Sequence, residues 1–230
     1  MIRLSLVAGA AALALSSPAS AESRTYTETG FTGISVSAGI NVSFRTGDDY
    51  AITAENRKGD FSDLEITVKN DTLVIGRKKK NWGWGKKPDY QVNVSAPQLD
   101  RISASSGSDI KGGGLSGDKV SIRTSSGADA SITGIQATNV ELDSSSGSDL
   151  DASGTCVSIE ADASSGSDIN AGNLICETGE ADASSGADIT IHTSRSIEAG
   201  ASSGANITVR GNPSETDIDK SVSGSVRLRG

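Results

Sequence analysis

A nearly identical seven-residue segment occurs six times in the sequence, beginning with "ASSGSDI" at 104–110. The spacings between the glycines of successive copies are 20, 20, 19, 20 and 18 residues. These glycines are Gly107, Gly127, Gly147, Gly166, Gly186 and Gly204. Gly224, in the weaker match "SVSGSV", extends the series by another 20 residues. A fixed period near 20 is typical of a solenoid, in which each repeat forms one coil and stacks on the next.

The residue types of the repeat favour strands over helices. Gly, Ser, Thr, Asn and Asp are poor helix formers, and stretches such as "VSIRT" at 120–124 alternate apolar and polar residues. Twenty residues at about 3.3 Å each give a perimeter of about 66 Å, which suits one coil of a parallel β-helix. We therefore predict an all-β fold of parallel β-helix or solenoid type, with coils of about 20 residues.

Stacked coils turn each position of the repeat into a column of equivalent residues. At the motif glycine we predict a positive φ, and the small residues around it let the corners stack closely. Two apolar columns should point inward. The column three residues after each glycine holds Ile110, Ala130, Leu150, Ile169, Ile189 and Ile207. The column five residues before each glycine holds Ile102, Ile122, Leu142, Ala161, Ala181 and Ala199.

The two cysteines fit the same register. Cys156 lies ten residues before Gly166, and Cys176 lies ten residues before Gly186. Neighbouring coils lie about 4.8 Å apart, which is within the Cα separation of a disulfide. We predict a Cys156–Cys176 disulfide; the alternative is a pair of stacked, buried thiols.

Residues 1–21 have the pattern of a secretory signal peptide, with Arg3, an apolar run and the cleavage motif Ala19-Ser20-Ala21. The apolar run is short for a membrane anchor, and no later stretch is apolar enough to span a bilayer. We therefore expect no membrane span after cleavage. Loss of Arg3 changes the net charge from −8 to −9, so the dominant basic face of a nucleic-acid-binding protein is not expected.

The mature chain has two parts that differ in their sequence pattern. Residues 22–99 contain irregular strands and a predicted β-hairpin with Asn70-Asp71 at its turn. We expect this N-terminal β section to cover the first coil, because open strand edges invite aggregation. Residues 100–230 form the repeat solenoid. No linker separates the two parts, so 22–230 is predicted to be one continuous domain.

Several motifs in chain order resemble one protein family. They are "SAGINVSF" at 37–44 with its Gly39-Ile40-Asn41 signature, "LEITVKNDTLVIG" at 64–76, and the repeated SG-[SA]-D turns. Over 30–211 the chain resembles the family called putative auto-transporter adhesin, head GIN domain. The resemblance implies a right-handed β-helix exported to the periplasm or the cell surface of a Gram-negative bacterium. It implies little about biochemistry.

Aspartates two residues after the glycines form an outward acidic column. They are Asp109, Asp129, Asp149, Asp168 and Asp188. Stacked carboxylates are a possible Ca²⁺ site, because Ca²⁺ takes several oxygen ligands. The alternative is a solvated column of turn residues, since two exposed charges about 5 Å apart repel by only about 0.8 kcal/mol in water.

The segment 77–90, "RKKKNWGWGKKPDY", combines cations with both tryptophans of the chain. Its candidate binding residues are Arg77, Lys78, Lys79, Lys80, Trp82, Trp84, Lys86 and Lys87. Lysines with exposed tryptophans suit an envelope glycan or anionic lipid, or another surface protein. The alternative is a solvated hairpin end whose tryptophans fold back onto the solenoid.

The sequence lacks the usual signs of an active site. His192 is the single histidine, and we find neither a GxSxG motif nor a Cys/His cluster. We therefore expect an exported, non-catalytic envelope or surface protein with an adhesin-like or ligand-binding role and no cofactor. The alternatives are a Ca²⁺-dependent structural or binding protein and a carbohydrate-active enzyme, which would need an acidic pair in a cleft.

Overall fold

The computed structural model describes residues 21–78 and 89–230, and all regular structure in these two ranges is β-strand. One continuous hydrogen-bonded system joins the 17 strands. The strands are β1 (Glu22–Tyr26), β2 (Gly33–Val36), β3 (Asn41–Thr46), β4 (Ala51–Asn56), β5 (Leu64–Lys69), β6 (Thr72–Arg77), β7 (Gln91–Ala96), β8 (Arg101–Ser105), β9 (Asp109–Gly113), β10 (Ser116–Ser125), β11 (Asp129–Ser145), β12 (Asp149–Ser164), β13 (Asp168–Ala183), β14 (Asp188–Ala201), β15 (Asn206–Arg210), β16 (Glu215–Lys220) and β17 (Ser225–Arg229).

The repeats stack as coils of a parallel solenoid of about six turns, as predicted. Each of the strands β11, β12 and β13 pairs in parallel with the next one along nearly its whole length. Asp129 is paired with Asp149 and Val140 with Ile159, so equivalent repeat positions lie side by side. The two predicted inward columns are buried, with every member at most 3% exposed. Their side chains form the repeat core together with other buried positions such as Val120, Ile132 and Ile191.

Each corner is a turn in which two successive residues have left-handed backbone conformation. At the first copy φ is 57° for Ser106 and 66° for Gly107. The positive φ predicted for the glycine is confirmed, and it extends to the preceding serine in all six copies. The Gly107 amide donates to the Ser126 carbonyl of the next coil at 3.1 Å. The corner thus belongs to the stack of hydrogen bonds between coils.

The residue after each motif glycine is completely buried and always small. This column holds Ser108, Ala128, Ser148, Ser167, Ala187 and Ala205. Where it is serine, the hydroxyl finds partners inside the corner. Ser148 Oγ lies 2.9 Å from Ser144 Oγ, and Ser167 Oγ donates to the Ser144 carbonyl at 2.7 Å. Buried hydroxyls need such partners, and the [SA] variation of the motif reflects this tight, internally bonded corner.

The Gly39-Ile40-Asn41 signature is an earlier copy of this corner. Ala38 and Gly39 both have a φ of 69°, and the Gly39 amide donates to the Ser106 carbonyl at 3.1 Å. Strands β2 and β3 on either side pair in parallel with β8 and β9. Coil stacking therefore extends upstream of the region that the repeat spacing marks.

Antiparallel pairing takes over at the N-terminal end. Strands β5 and β6 form the predicted hairpin, in which Asn70 and Asp71 have φ values of 47° and 57°. On the neighbouring side, β4 pairs antiparallel with β7, and β1 with β4. These strands extend the sheet beyond the first coil, and the rings of Phe31 and Tyr90 are buried at this end.

Gly224 does not continue the column of turn glycines, so that prediction is wrong. Ser225 pairs with Asn206, which aligns Gly224 with Ala205 and not with Gly204. A Cβ on Gly224 would lie 2.0 Å from the Ala201 carbonyl oxygen. The position therefore aligns with the small-residue column that follows the turn glycines, and a lack of steric room selects glycine there.

The predicted disulfide is confirmed. Cys156 and Cys176 are bonded across neighbouring coils, with their Cα atoms 4.6 Å apart. Cys176 is buried. In the two described ranges there is no helix of the length and apolarity that crossing a membrane requires.

Candidate functional site

The basic, tryptophan-containing segment lies between the end of β6 and the start of β7. Six of its predicted binding residues fall outside the described ranges: Lys79, Lys80, Trp82, Trp84, Lys86 and Lys87. The residues at the two ends of the segment are described. They show how the scaffold holds its two ends.

Arg77, the last residue of β6, is held from three sides. Its Nη1 donates to the Asp63 carboxylate at 2.9 Å, and its Nε donates to the Ala38 carbonyl at 3.0 Å. The guanidinium carbon lies 4.8 Å from the centre of the Tyr90 ring, a cation–π distance. Because Ala38 belongs to the Gly39-Ile40-Asn41 corner, this arginine links the family signature to the segment.

Tyr90, at the other end of the segment, contacts the same Asp63 carboxylate. Its hydroxyl donates to the Asp63 carboxylate, and the hydroxyl oxygen also lies 2.8 Å from the Asp60 carbonyl oxygen. Its ring is almost fully buried and stacks on Phe61, with ring centres 6.0 Å apart. We call Asp63, Arg77 and Tyr90 the clamp.

The clamp residues keep each other in fixed protonation states. Burial raises the pKa of Asp63, but hydrogen bonds from Tyr90 and Arg77 and the arginine charge outweigh it, so that the net pKa is lowered. Burial, the hydrogen bond to Asp63 and the negative charge of Asp63 raise the pKa of Tyr90 far above its ordinary value. Asp63 is therefore charged and Tyr90 neutral at physiological pH.

The two candidate binding residues that the structure describes, Arg77 and Lys78, have different surroundings. The side chain of Arg77 is only 9% exposed and is occupied by the scaffold. Lys78 has an exposed side chain, and its amide donates to the Asp63 carbonyl at 2.8 Å. Arg77 is thus an anchor, whereas Lys78 is the first residue of the segment that faces solvent.

The predicted metal residues form one exposed column, as the repeat register requires. Asp109 pairs with Asp129, Asp129 with Asp149, Asp149 with Asp168 and Asp168 with Asp188. Burial and the charges of Asp149 and Asp188 raise the pKa of Asp168. Within the described ranges, no group of three or more His, Cys, Asp or Glu side chains is arranged to hold a metal ion.

A broader acidic surface lies on the strands that precede the corners. One column runs through Glu141, Glu160, Glu180, Glu198 and Asp217. Two residues further along the strands, the second column runs through Asp143, Asp162, Asp182, Gly200 and Asp219. The members up to Glu198 follow the repeat spacing, whereas Asp217 and Asp219 belong to the last coil, whose corner has a different sequence.

The acidic surface is neutralised at one edge. Lys119 and Arg123 each approach the Glu141 carboxylate at 2.9 Å. Hydrogen bonding to Lys119, opposed by burial and assisted by Arg123, lowers the pKa of Glu141. At Asp162, burial and then the charges of Glu160, Asp182 and Asp143 raise the pKa. The carboxylates in the middle of this surface therefore repel one another.

Sequence reasoning missed the clamp, because its three residues are distant in the chain and no motif joins them. A weak signal was available. Asp63 and Arg77 lie on the two strands at the open end of the predicted hairpin, because Leu64, the neighbour of Asp63, pairs with Arg77. An acid and a base at the open end of a hairpin face each other across its strands.

Solved structures show the same fold over nearly the whole chain. A putative adhesin from Bacteroides fragilis is 21% identical and superposes with a TM-score of 0.81, covering 91% of this chain and 97% of that chain. A putative lipid binding protein from Parabacteroides distasonis is 14% identical with a TM-score of 0.70, covering 92% and 97%. A putative adhesin from Parabacteroides merdae is 13% identical with a TM-score of 0.69, at the same coverage. No curated protein sequence matches the chain.

The family comparison agrees with the signature corner and the repeats. The model of the family described as putative auto-transporter adhesin, head GIN domain, matches residues 30–213. This range begins just before β2 and ends after β15, so it covers the first corner, the clamp and the six repeat corners. The chain therefore belongs to the putative auto-transporter adhesin, head GIN domain family.

Proposed function

We propose that the protein is an exported, non-catalytic binding protein of the bacterial envelope or surface, whose solenoid presents the segment 77–90 to an anionic partner. The observation that carries this proposal is the clamp. It fixes the chain at both ends of the segment, at Arg77 and Tyr90, to one partly buried carboxylate, that of Asp63. A scaffold that fixes both ends of a loop lowers the entropy that the loop loses on binding.

The chemistry of the segment indicates the class of partner. Its five lysines meet acidic groups, and its two tryptophans offer rings that stack on sugars or settle at a membrane interface. Envelope glycans with acidic groups and anionic lipid headgroups share this chemistry. The structural neighbours described as adhesins and as a lipid binding protein are consistent with either partner.

Two further features support export. Residues 1–21 have the pattern of a signal peptide. The Cys156–Cys176 disulfide is a bond that persists in oxidising compartments and is rare in the bacterial cytosol. Measuring the mass of the protein recovered from the periplasm or medium tests this point, and cleavage after Ala21 is the expected result.

Binding to an array of anionic glycans and lipids tests the proposed function. We expect the mature chain to bind at least one acidic class, and a Trp82→Ala, Trp84→Ala variant to lose that binding. The same loss in a variant carrying Tyr26→Phe, an aromatic change outside the segment, would contradict the proposal. Absence of binding by the wild-type chain to every acidic class would contradict it as well.

A further inference from the structure

A surface of opposite character lies on the last coils. His192, Arg210 and Arg229 occupy one outward column on β14, β15 and β17, with His192 paired to Arg210 and Arg210 to Arg229. Neighbouring members of such a column lie about 4.8 Å apart. In a chain of net charge −8 that carries three acidic outward columns, this column is basic.

Two glycines shape the surface around these side chains. The guanidinium of Arg210 lies over buried Gly172, where a Cβ would be 3.0 Å from Arg210 Nη1. The ring of His192 lies against Gly211, where a Cβ would be 2.7 Å from His192 Nε2. A side chain at either glycine would collide with these groups, so the two glycines leave room for the guanidinium and the ring. A groove forms between them, and Ile175, which is 52% exposed, forms part of its wall.

The arginines of the groove form no ion pair. Neither Arg210 nor Arg229 is paired with a carboxylate in the described ranges, and the groove lining, which includes the C-terminal residue Gly230, contains no Asp or Glu. Arg195, on the same part of the solenoid, does have a partner, because it lies 3.3 Å from the Glu177 carboxylate. The column is therefore a concentration of unpaired guanidinium groups beside an apolar wall.

We infer that this groove, formed by Gly172, Ile175, His192, Arg210 and Arg229, binds a phosphate or carboxylate group that is carried on an apolar body. A guanidinium presents paired N–H donors that match the two oxygens of such an anion. The aliphatic side chain of Ile175 removes apolar surface of the ligand from water.

The groove is separate from the segment proposed above. Seven strand-to-strand steps lead from β6 to β14, through β2, β8, β10, β11, β12 and β13. At about 4.8 Å for each step, β6, which leads into the segment, and β14, which carries His192, are about 34 Å apart along the solenoid. Loss of either site therefore leaves the other testable.

Titration of the mature chain with small probes tests the groove, at fixed ionic strength and with two-dimensional NMR as the readout. Hexyl phosphate and hexanoate represent the two anions on an apolar body, and inorganic phosphate represents the free ion. We expect saturable shifts centred on the groove for at least one hexyl probe. Affinity for inorganic phosphate should be several-fold weaker, because the free ion makes no contact with Ile175.

Matched variants separate a site from diffuse charge. Arg210→Gln should weaken binding by about tenfold or more, as expected for loss of a hydrogen bond to a charged group. Arg195→Gln removes the same charge from an arginine that already has a partner and should leave affinity unchanged. Ile175→Ser should weaken only the hexyl probes. Equal losses in Arg210→Gln and Arg195→Gln would overturn the inference, as would equal affinities for hexyl phosphate and inorganic phosphate or the absence of saturable shifts.

Discussion

The amide of Gly39 donates to the carbonyl of Ser106, 67 positions later in the chain, at 3.1 Å. The same bond recurs between every pair of successive corners, from Gly107 to Ser126 through to Gly186 to Ser203. The family signature and the six repeats are therefore one structural element, used seven times. The signature differs because it starts the stack and also accepts the hydrogen bond from Arg77.

The corner glycines are required for their backbone conformation and not for space. Gly147 has a φ of 65°, and a Cβ there would meet nothing within 4 Å. Gly147→Ala should therefore cost about 1–2 kcal/mol of unfolding free energy, the strain of a left-handed residue with a side chain. At Gly112 a Cβ would lie 2.2 Å from the Phe44 carbonyl oxygen, so Gly112→Ala should cost clearly more. Urea denaturation of both variants checks the order, and a larger loss for Gly147→Ala would contradict this account.

The clamp should contribute far more to stability than an ion pair on the surface. Arg77 and Asp63 have side chains that are 9% and 19% exposed. Arg77→Ala leaves a hydrogen-bonded carboxylate without its partner, and we expect a loss of about 2 kcal/mol or more. Lys119→Ala is the control, because Lys119 is 64% exposed in its pair with Glu141 and such pairs contribute about 0–1 kcal/mol. Equal losses of unfolding free energy in denaturant titrations of the two variants would show that the clamp contributes no more stability than an exposed ion pair.

The disulfide should stabilise the solenoid without being needed for its fold. Cys156 and Cys176 are 20 residues apart, and closing a loop of that length stabilises a protein by about 3 kcal/mol in the chain-entropy model. We expect Cys156→Ala, Cys176→Ala to keep the β-sheet circular dichroism spectrum and to lose up to that amount. A variant that fails to fold would show that the coil register depends on the bond.

The acidic surface predicts an unusual pH dependence. Burial and neighbouring carboxylates raise the folded-state pKa values of Asp162, Asp168 and Glu180 above their ordinary values. Between the ordinary pKa and the raised pKa of each group, the folded state binds more protons than the unfolded state. The free energy of unfolding therefore falls as the pH rises through this range. Asp63 and Glu141 act oppositely, since their pKa values are lowered and their contribution is lost only at lower pH. Stability should therefore be higher at mildly acidic pH than at neutral pH.

Thermal melts between pH 4 and pH 8 check this dependence, and Asp162→Asn provides the control. The variant should be more stable than the wild type at neutral pH, because it lacks one repelling charge, and it should gain less on acidification. A wild-type melting temperature that falls steadily from neutral to mildly acidic pH would contradict the assignment.

The aspartate column gives a prediction about divalent cations. Because the described carboxylates do not form a group that could hold a metal, we expect Ca²⁺ to act by screening. Ca²⁺ and Mg²⁺ should then raise the melting temperature equally, and each by an amount that an ionic-strength-matched concentration of NaCl approaches. A larger increase with Ca²⁺ than with Mg²⁺, absent in Asp149→Asn, would instead support a Ca²⁺ site on the aspartate column.

The periodic part of the fold could be predicted from the sequence because one register governs many residues. Placing Ile110 and Ile102 inward also places their equivalents in every coil, and the disulfide follows from the same spacing. The positions of Gly39 and Gly224 could not be obtained in this way. Gly39 lies in a corner whose neighbours are Ala38 and Ile40 and not Ser or Asp, while Gly224 keeps the spacing but shifts by one column.

The candidate sites were predictable only in part. A run of lysines and tryptophans is visible in the sequence as composition, whereas the clamp and the basic groove depend on contacts between separate coils. Arg77 looks like one more cation of its segment until Asp63 and Tyr90 are placed beside it. Likewise, Arg210 and Gly172 meet only because a guanidinium reaches across the strand between them.

The most direct test of the functional proposal is binding to anionic lipid vesicles and acidic glycans by two variants with the same change in charge. In the first, Lys79, Lys80, Lys86 and Lys87 are replaced by glutamine. In the second, the replaced residues are Lys58, Lys69, Lys111 and Lys220, which lie outside the segment. The account predicts that the first variant loses binding and that the second retains it. Equal retention or equal loss in the two variants would show that the segment is not the binding site.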